Sequence, residues 1–226
     1  YRIYAALLIG SLPIAHMHSY IVIVLLLTFY LTPQYVIGLV KNPKQTLVNL
    51  RHLFLEFIVL GAGLSLTLYK FLVAGKIEDP HFMSIKLWGF VDNFSSWILF
   101  WGWVWGAMLP LALAATFLLF KKSRQNPIHR NHLFLFLGFW AIFALSNVMQ
   151  FQPIRWDNSK LQLWVYLGLS GVTAWAIGEI YFKLRSSSRP KLANVIVVSL
   201  IALLTATGAT EVLNLLNLDR HRYQLI

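Results

Sequence analysis

Long apolar runs separated by short polar segments are the dominant pattern of this chain of 226 residues. A helix needs about 20 apolar residues to cross the hydrocarbon core of a bilayer. The pattern predicts such spans at roughly 14–32, 51–73, 95–120, 133–150, 161–182 and 192–215, with a shorter apolar stretch at 3–12. The alternating segments of a membrane β-barrel are absent. We therefore predict an all-α, polytopic transmembrane helical bundle of six to seven membrane segments, forming one domain over residues 1–226.

Composition supports lipid as the solvent of this chain. Hydrophobic residues make up 58% of the sequence and charged residues 12%, whereas about a quarter of the residues of a soluble domain are charged. The formal net charge is +11. In a soluble protein that excess would point to nucleic acid, but in a membrane protein basic residues gather in cytoplasmic loops. We predict membrane lipids as partners and no nucleic acid. With no cysteine, disulfides and thiolate metal sites are excluded.

The signs of the charges alternate from one connection to the next. Connections 33–50, 121–132 and 183–191 are basic, whereas 74–93 and 152–160 carry charges of both signs. Lysine and arginine accumulate in loops on the cytoplasmic side. We therefore predict that the three basic connections are cytoplasmic and that the other two are extracytoplasmic.

The segment MQFQPIRWDNSK is a concentration of polar residues between two apolar runs. Arg155 and Lys160 supply donors suited to a phosphate, which arginine can bind in a bidentate manner. Asp157 and Asn158 could orient a sugar hydroxyl or hold Arg155 in place. The alternative is a reverse turn built on proline, aspartate and asparagine, in which arginine and aspartate form a surface pair of little energetic value. The residues alone leave both interpretations open.

Other ionisable residues lie inside the predicted spans. His16 and His18 are two positions apart, so on a helix they point about 200° apart and do not form a metal clamp. Each either bonds a neighbouring helix or faces a polar cavity, since ionisable groups within membrane segments often mark function. Glu179 has Lys183 four residues on, and a helical pair at that spacing is the ordinary explanation.

Three pieces of the chain carry a resemblance to a known group. In order they are LIGSLPIAHMHSYIVI, FQPIRWDNSKL and TATGATEVLNLLNLDRHRYQL. Together they resemble poorly characterised multi-pass proteins with the architecture of C-type membrane glycosyltransferases (GT-C). The resemblance implies a GT-C-like fold and transfer of a sugar from a polyprenyl-phosphate carrier on the extracytoplasmic face. The catalytic carboxylate of such enzymes usually lies in the first extracytoplasmic loop. We therefore expect it upstream of Tyr1, in a longer chain with further N-terminal spans and a soluble C-terminal part.

The resemblance also assigns roles to residues of the present chain. It implies that Arg155 and Lys160 contact the lipid-linked phosphate. It implies that further residues form the cavity wall, namely His16, His18, Gln152, Asp157 and Asn158. The residues themselves indicate no metal site, and a divalent metal is the one cofactor that the resemblance leaves open.

Two other classes of function fit the same sequence. The chain could be a non-catalytic transmembrane subunit that binds lipid, pigment or protein partners, with the histidines even as axial ligands of a macrocycle. It could also be a transporter, which would be expected to have inverted repeats and broken helices near the membrane midplane. A break at Pro13 is the sequence feature that bears on the transporter.

Overall fold

A computed structural model describes most of the chain. The residues that it describes are 8–10, 12, 17–50, 54, 58, 61–62, 65, 84–150, 159–187 and 190–216. The described part is mostly helical, in agreement with the predicted all-α class. The helices are α1 (Met17–Lys41), α2 (Phe94–Trp105), α3 (Met108–Ser123), α4 (Pro127–Val148), α5 (Ser159–Ser186) and α6 (Pro190–Leu216), and two short strands are β1 (Ser84–Ile85) and β2 (Met149–Gln150). Residues 43–50 are also helical.

Three helices of the described chain are long and apolar enough to cross a membrane: α1 from Ser19, α4 and α5. The number becomes four if α2 and α3 together form one span. These helices are consistent with an integral membrane protein. The larger count of six to seven spans, like the GT-C-like arrangement, stays a prediction.

The predicted spans at 133–150, 161–182 and 192–215 correspond to α4, α5 and α6. Each observed helix begins before the predicted one, because polar and basic residues at its ends are helical too. The helix α4 starts at Pro127, where proline fits the first helical turn, and the Asn126 side chain caps it by accepting from the Ile128 N–H at 2.8 Å. Most of the predicted span at 51–73 lies outside the described residues.

Two predicted boundaries are wrong. The first span was expected at 14–32 with a connection at 33–50, but α1 runs on to Lys41 with Pro33 inside the helix. The expected continuous span at 95–120 is two helices, α2 and α3, which are bent by 89° relative to each other. The bend lies at Gly106, whose positive φ of 50° is a conformation that glycine adopts without a Cβ clash.

The core lies between α3, α4 and α5. Buried residues recur on one face of α5 at helical spacing, namely Leu161, Val165, Leu169, Val172 and Ala176. The turn at 124–126 is too short to allow anything but antiparallel packing of α3 and α4. Contacts at both ends of α4 show that α5 is antiparallel to it: Ser146 meets Gln162, and His129 lies against Trp175 with ring centroids 5.7 Å apart.

Glycines allow α4 to approach its neighbours closely. A Cβ at Gly168 of α5 would lie 2.4 Å from ring atoms of Phe139. A Cβ at Gly138 would lie 3.0 Å from Leu26 and 3.2 Å from Phe29 of α1. In a membrane, where lipid tails are as apolar as leucine, close packing at small residues is a main source of helix association. The two glycines therefore fix α4 between α1 and α5.

Candidate functional site

The candidate site is the end of the bundle at which α4 ends and α5 begins. We call it the polar end and define it by Ser146–Gln150, Ser159–Gln162 and residues 84–93. The strand β1 pairs antiparallel with β2 here, with Ser84 opposite Gln150 and Ile85 opposite Met149. The Lys86 N–H extends the pairing by donating to the Val148 carbonyl at 2.8 Å. The pairing places residues 84–93 at the same end of the bundle as the α4–α5 connection.

Asn147 organises this end. Its side-chain oxygen accepts from the indole N–H of Trp97 at 2.7 Å and of Trp101 at 3.0 Å. Its side-chain nitrogen donates to the Phe143 carbonyl at 2.7 Å. Asn147 is buried, and a buried amide must have its hydrogen bonds made to be tolerated. Asn147 therefore ties α2 to the last turn of α4.

A turn from β1 to α2 packs directly on Asn147. Trp88 and Gly89 both have positive φ, 74° and 56° respectively. A Cβ at Gly89 would lie 3.1 Å from the Asn147 Cα and 3.4 Å from the Ser146 carbonyl oxygen. Positive φ is rare for a residue with a side chain as bulky as tryptophan, and Trp88 is held by ring contacts with Phe94 at 5.2 Å and Trp97 at 6.3 Å.

Gln162 is a second buried amide at the polar end. It is 6% exposed, and its side-chain nitrogen donates to the Ser146 hydroxyl. The Gln162 side-chain oxygen is buried and accepts no hydrogen bond. A buried acceptor without a donor costs about 1–3 kcal/mol. Gln162 lines neither of the cavities described below, so a donor group of a bound molecule reaches this oxygen only if neighbouring side chains move.

Of the sequence-predicted site residues, Lys160 is the one whose side chain the structure describes. It is exposed in the first turn of α5, two residues before Gln162. The backbone of His18 lies in the first turn of α1. The remaining predicted residues, His16, Gln152, Arg155, Asp157 and Asn158, lie outside the described residues, so their grouping with Lys160 stays a prediction.

A cavity opens between α3, α5 and α6, on the side of the bundle. Its volume is about 360 Å³, and its lining is mostly apolar: Met108, Tyr166, Ser170, Thr173, Ala174, Ile177, Ile201, Leu204 and Thr205. A smaller cavity of about 90 Å³ shares Thr173 and Ile177 with it and reaches Ile180. We call the two neighbouring cavities together the trough; their lining residues on α5 extend from Tyr166 to Ile180, about 21 Å at 1.5 Å per residue.

The trough begins one helical turn from the polar end. Tyr166 follows Gln162 by four residues, and Ser170 follows Tyr166 by four. Residues four apart lie above one another on the same helix face. Gln162, Tyr166 and Ser170 therefore form a polar stripe on α5, leading from the unpaired amide oxygen into the trough. The arrangement suits an amphiphile whose polar group lies at the polar end and whose hydrocarbon chain lies along α5.

The opposite end of the bundle is basic. We call it the basic end and define it by Lys121–His132 and Lys183–Lys191. The Glu179 carboxylate pairs there with Lys122 of α3, so its ion pair is with a different helix and not, as predicted, with Lys183 one turn away. The two side chains are 36% and 35% exposed. Lys122 also lies over the Trp175 ring, with its Nζ 5.6 Å from the centroid.

The described side chains include two carboxylates, Asp92 at the polar end and Glu179 at the basic end. Among these residues no group of three or more His, Asp or Glu could hold a metal ion. The described residues therefore offer no ligand set of this kind for the divalent metal that the resemblance leaves open.

Comparison with known proteins adds no relative: no family model, no curated protein and no solved structure matches the chain.

The sequence interpretation missed Asn147 and Gln162. Both carried a signal, because each is an amide close to the end of a long apolar run, where polar side chains are costly and often functional. The predicted site included the amides Gln152 and Asn158 of the polar connection, but not these two, which lie in the apolar runs on either side of it. The Trp97 and Trp101 contacts with Asn147 are not visible in the sequence, since 46 or more residues separate the partners.

Proposed function

We propose that this integral membrane protein transfers a sugar from a polyprenyl-phosphate carrier at the membrane face on which the polar end lies. The observation that carries the proposal is the stripe on α5 that joins the unpaired Gln162 oxygen to the apolar trough. A lipid-linked sugar has the same order of chemistry: hydroxyls, then phosphate, then a long hydrocarbon chain.

Each part of the donor has a partner of suitable chemistry. Lys160, in the first turn of α5, supplies a positive charge, and the amino-terminal end of a helix favours an anion as well. The Gln162 oxygen accepts a hydrogen bond from a sugar hydroxyl. The trough takes the first isoprene units, since its lining is apolar apart from the tyrosine, serine and threonine hydroxyls. Arg155, as the resemblance implies, is a second partner of the phosphate.

The reaction breaks the bond between the anomeric carbon of the sugar and the phosphate oxygen. The polyprenyl phosphate leaves with the electron pair, and an acceptor hydroxyl oxygen forms the new bond and loses its proton to a base. Cationic donors at the phosphate stabilise the charge that develops on the leaving group. We assign no described residue as the base, and the resemblance implies a carboxylate upstream of Tyr1.

Binding of the donor is the direct test. The full chain in nanodiscs is titrated with a short-chain polyprenyl-phosphate sugar, and transfer to added acceptors is followed with the same donor. Arg155→Ala and Lys160→Ala should each weaken binding about 10- to 100-fold, because a hydrogen bond to a charged group is worth about 1.5–3 kcal/mol. Lys121→Ala, at the basic end, is the matched control and should bind as the wild type does. Wild-type binding and transfer by both polar-end variants would exclude the phosphate assignment.

Two further variants separate the head-group site from the trough. Gln162→Leu should weaken donor binding with little change in stability, because removal of the unpaired buried oxygen offsets the loss of the hydrogen bond that the Gln162 side-chain nitrogen donates to Ser146. Ala174→Trp fills the side opening of the trough and should weaken long-chain donors more than a soluble sugar phosphate. Leu167→Trp is its control, since Leu167 is 56% exposed on the same helix and does not line the trough. Equal effects of Ala174→Trp on both donors would contradict a role of the trough in chain binding.

The two alternative functions remain predictions. A transporter is expected to have a broken helix near the midplane, and the break at Gly106 is the described feature closest to that requirement. It lies near the polar end, however, because neighbouring Trp105 contacts Phe143 and Tyr166 with centroids 5.1 and 5.8 Å away. The break therefore gives the transporter no specific support.

A further inference from the structure

The helix α2 crosses the end of α4 instead of running beside it. Trp97, Trp101 and Trp105 follow one another at four-residue spacing, which covers about 12 Å of helix axis. All three rings contact Phe143, with centroids 6.1, 5.0 and 5.1 Å away. If α2 and α4 packed side by side, Trp97, Trp101 and Trp105 would instead contact three different turns of α4.

The bend at Gly106 also indicates that α2 is perpendicular to α4. The helices α2 and α3 meet at 89°, and α3 packs antiparallel to α4, one of the helices able to cross a membrane. The direction of α3 and α4 is therefore close to the membrane normal. A helix at a right angle to them lies close to the membrane plane, and the contacts with Asn147 and Phe143 locate it at the polar end.

The exposed surface of α2 is uncharged and mainly apolar. The helix sequence is FSSWILFWGWVW, and the face opposite Trp101 carries Leu99 and Trp103 beside Ser95, with Leu99 63% and Trp103 82% exposed. Ile98 and Val104 extend the exposed apolar surface on either side of this face. Such a surface is unfavourable in water. Tryptophan is enriched where hydrocarbon meets head groups, and helices that lie in that zone bury an apolar face about 5–10 Å deep.

The length of α3 agrees with this depth. Its 16 residues cover about 24 Å at 1.5 Å per residue, which is less than the bilayer core of about 30 Å. A helix joined to the end of α3 at a right angle therefore lies within the edge of the hydrocarbon region. The polar residues Asp92 and Asn93, which precede α2, mark the return toward the head groups.

We infer that α2 is an in-plane helix whose exposed face is embedded in the acyl chains of the lipid leaflet at the polar end. It is then not part of a membrane span, and α3 crosses from the polar end to the basic end without it. The inference does not depend on the proposed function, since it rests on the Phe143 contacts, the bend and the exposed apolar face.

The absence of cysteine from the sequence permits a direct test by site-directed spin labelling in nanodiscs. Single cysteines replace Ser95, Leu99 and Trp103, which lie at four-residue spacing on the exposed face of α2 opposite Trp101. Leu113, Phe117 and Phe120, which are exposed on α3, serve as the internal reference. The depth of each label is measured by its collision rates with oxygen, which concentrates in the bilayer, and with a water-soluble nickel chelate.

The three α2 labels should lie at one shallow depth within a few ångströms, while the α3 labels change depth by about 10 Å between positions 113 and 120. An α2 profile as steep as that of α3 would make α2 part of a span and overturn the inference. Labels that meet the nickel chelate and not oxygen would place the face in water, and labels shielded from both reagents would indicate a protein partner or a second copy. Either outcome would overturn it as well.

Discussion

The two ends of the bundle are stabilised by different chemistry. The polar end has neutral, buried amides: Asn147 makes three hydrogen bonds, and Gln162 makes one and leaves an acceptor unused. The basic end has charged, partly exposed side chains with a cross-helix ion pair between Lys122 and Glu179. Neutral groups can be buried at moderate cost if they are bonded, whereas charges stay near water. The polar end therefore depends on neutral buried amides, and the basic end on a partly exposed ion pair next to His129 and Arg130, each of which has one buried side-chain nitrogen without a partner.

Loss of the Asn147 acceptor should have the largest effect on stability. Asn147→Leu leaves two indole N–H groups without their acceptor, at about 1–3 kcal/mol for each buried donor. We expect a loss of about 2–5 kcal/mol in the free energy of unfolding, measured in detergent micelles by titration with a denaturing surfactant. Trp97→Phe removes one donor and leaves the acceptor bonded to Trp101, so it should cost less. If Asn147→Leu lowered the free energy of unfolding no more than Trp97→Phe does, the Asn147 acceptor would not stabilise the polar end in the way proposed.

A second variant acts on the contact midway between the two ends. Gly168→Ala places a Cβ 2.4 Å from the Phe139 ring, and overpacking of this kind costs about 1–3 kcal/mol. The same unfolding titration measures it. Gly178→Ala is the matched control on the same helix, since nothing lies within 4 Å of its Cβ position. The control should be neutral or stabilising by up to about 1 kcal/mol, because alanine is the better helix former. Equal behaviour of the two variants would show that α4 and α5 are not in close contact at Gly168.

The ion pair at the basic end should contribute least. Lys122→Ala removes a pair whose members are 35% and 36% exposed, and such pairs contribute about 0–1 kcal/mol. The measured loss should shrink in high salt, which screens exposed charges, whereas the Asn147→Leu loss should be nearly insensitive to salt. The double variant Lys122→Glu with Glu179→Lys should restore most of the stability. A salt-insensitive loss above about 2 kcal/mol would mean that the pair is shielded like a buried one.

The sequence predicted helices correctly where the length of an apolar run was the deciding factor. Apolar length alone predicted α4, α5 and α6, because each backbone must satisfy its own hydrogen bonds in lipid. The same rule failed at residues 95–120, where the apolar run is unbroken and a positive φ at Gly106 turns the chain. It also failed at Pro33, which α1 accommodates inside the helix.

The candidate site was predicted less completely than the fold. The sequence singled out the segment 149–160, of which the structure describes Met149, Gln150, Ser159 and Lys160, all at the polar end. Asn147 and Gln162 were missed because their partners lie on other helices, and no spacing rule connects Trp97 to Asn147. The partner of Glu179 was predicted wrongly for the same reason: a local i,i+4 rule was applied where a residue 57 positions away had become a neighbour.

The short pairing of β1 with β2 constrains the order in which contacts can form while the protein is being synthesised. During synthesis β1 leaves the ribosome before α2, α3 and α4, and its partner strand emerges only after α4 has been made. The backbone groups of β1 must therefore stay hydrated until the α3–α4 hairpin has entered the bilayer and brought Met149 back to the same face. The pairing therefore forms only after α4 has been made, and it fastens the α3–α4 hairpin to the segment that was translated before it.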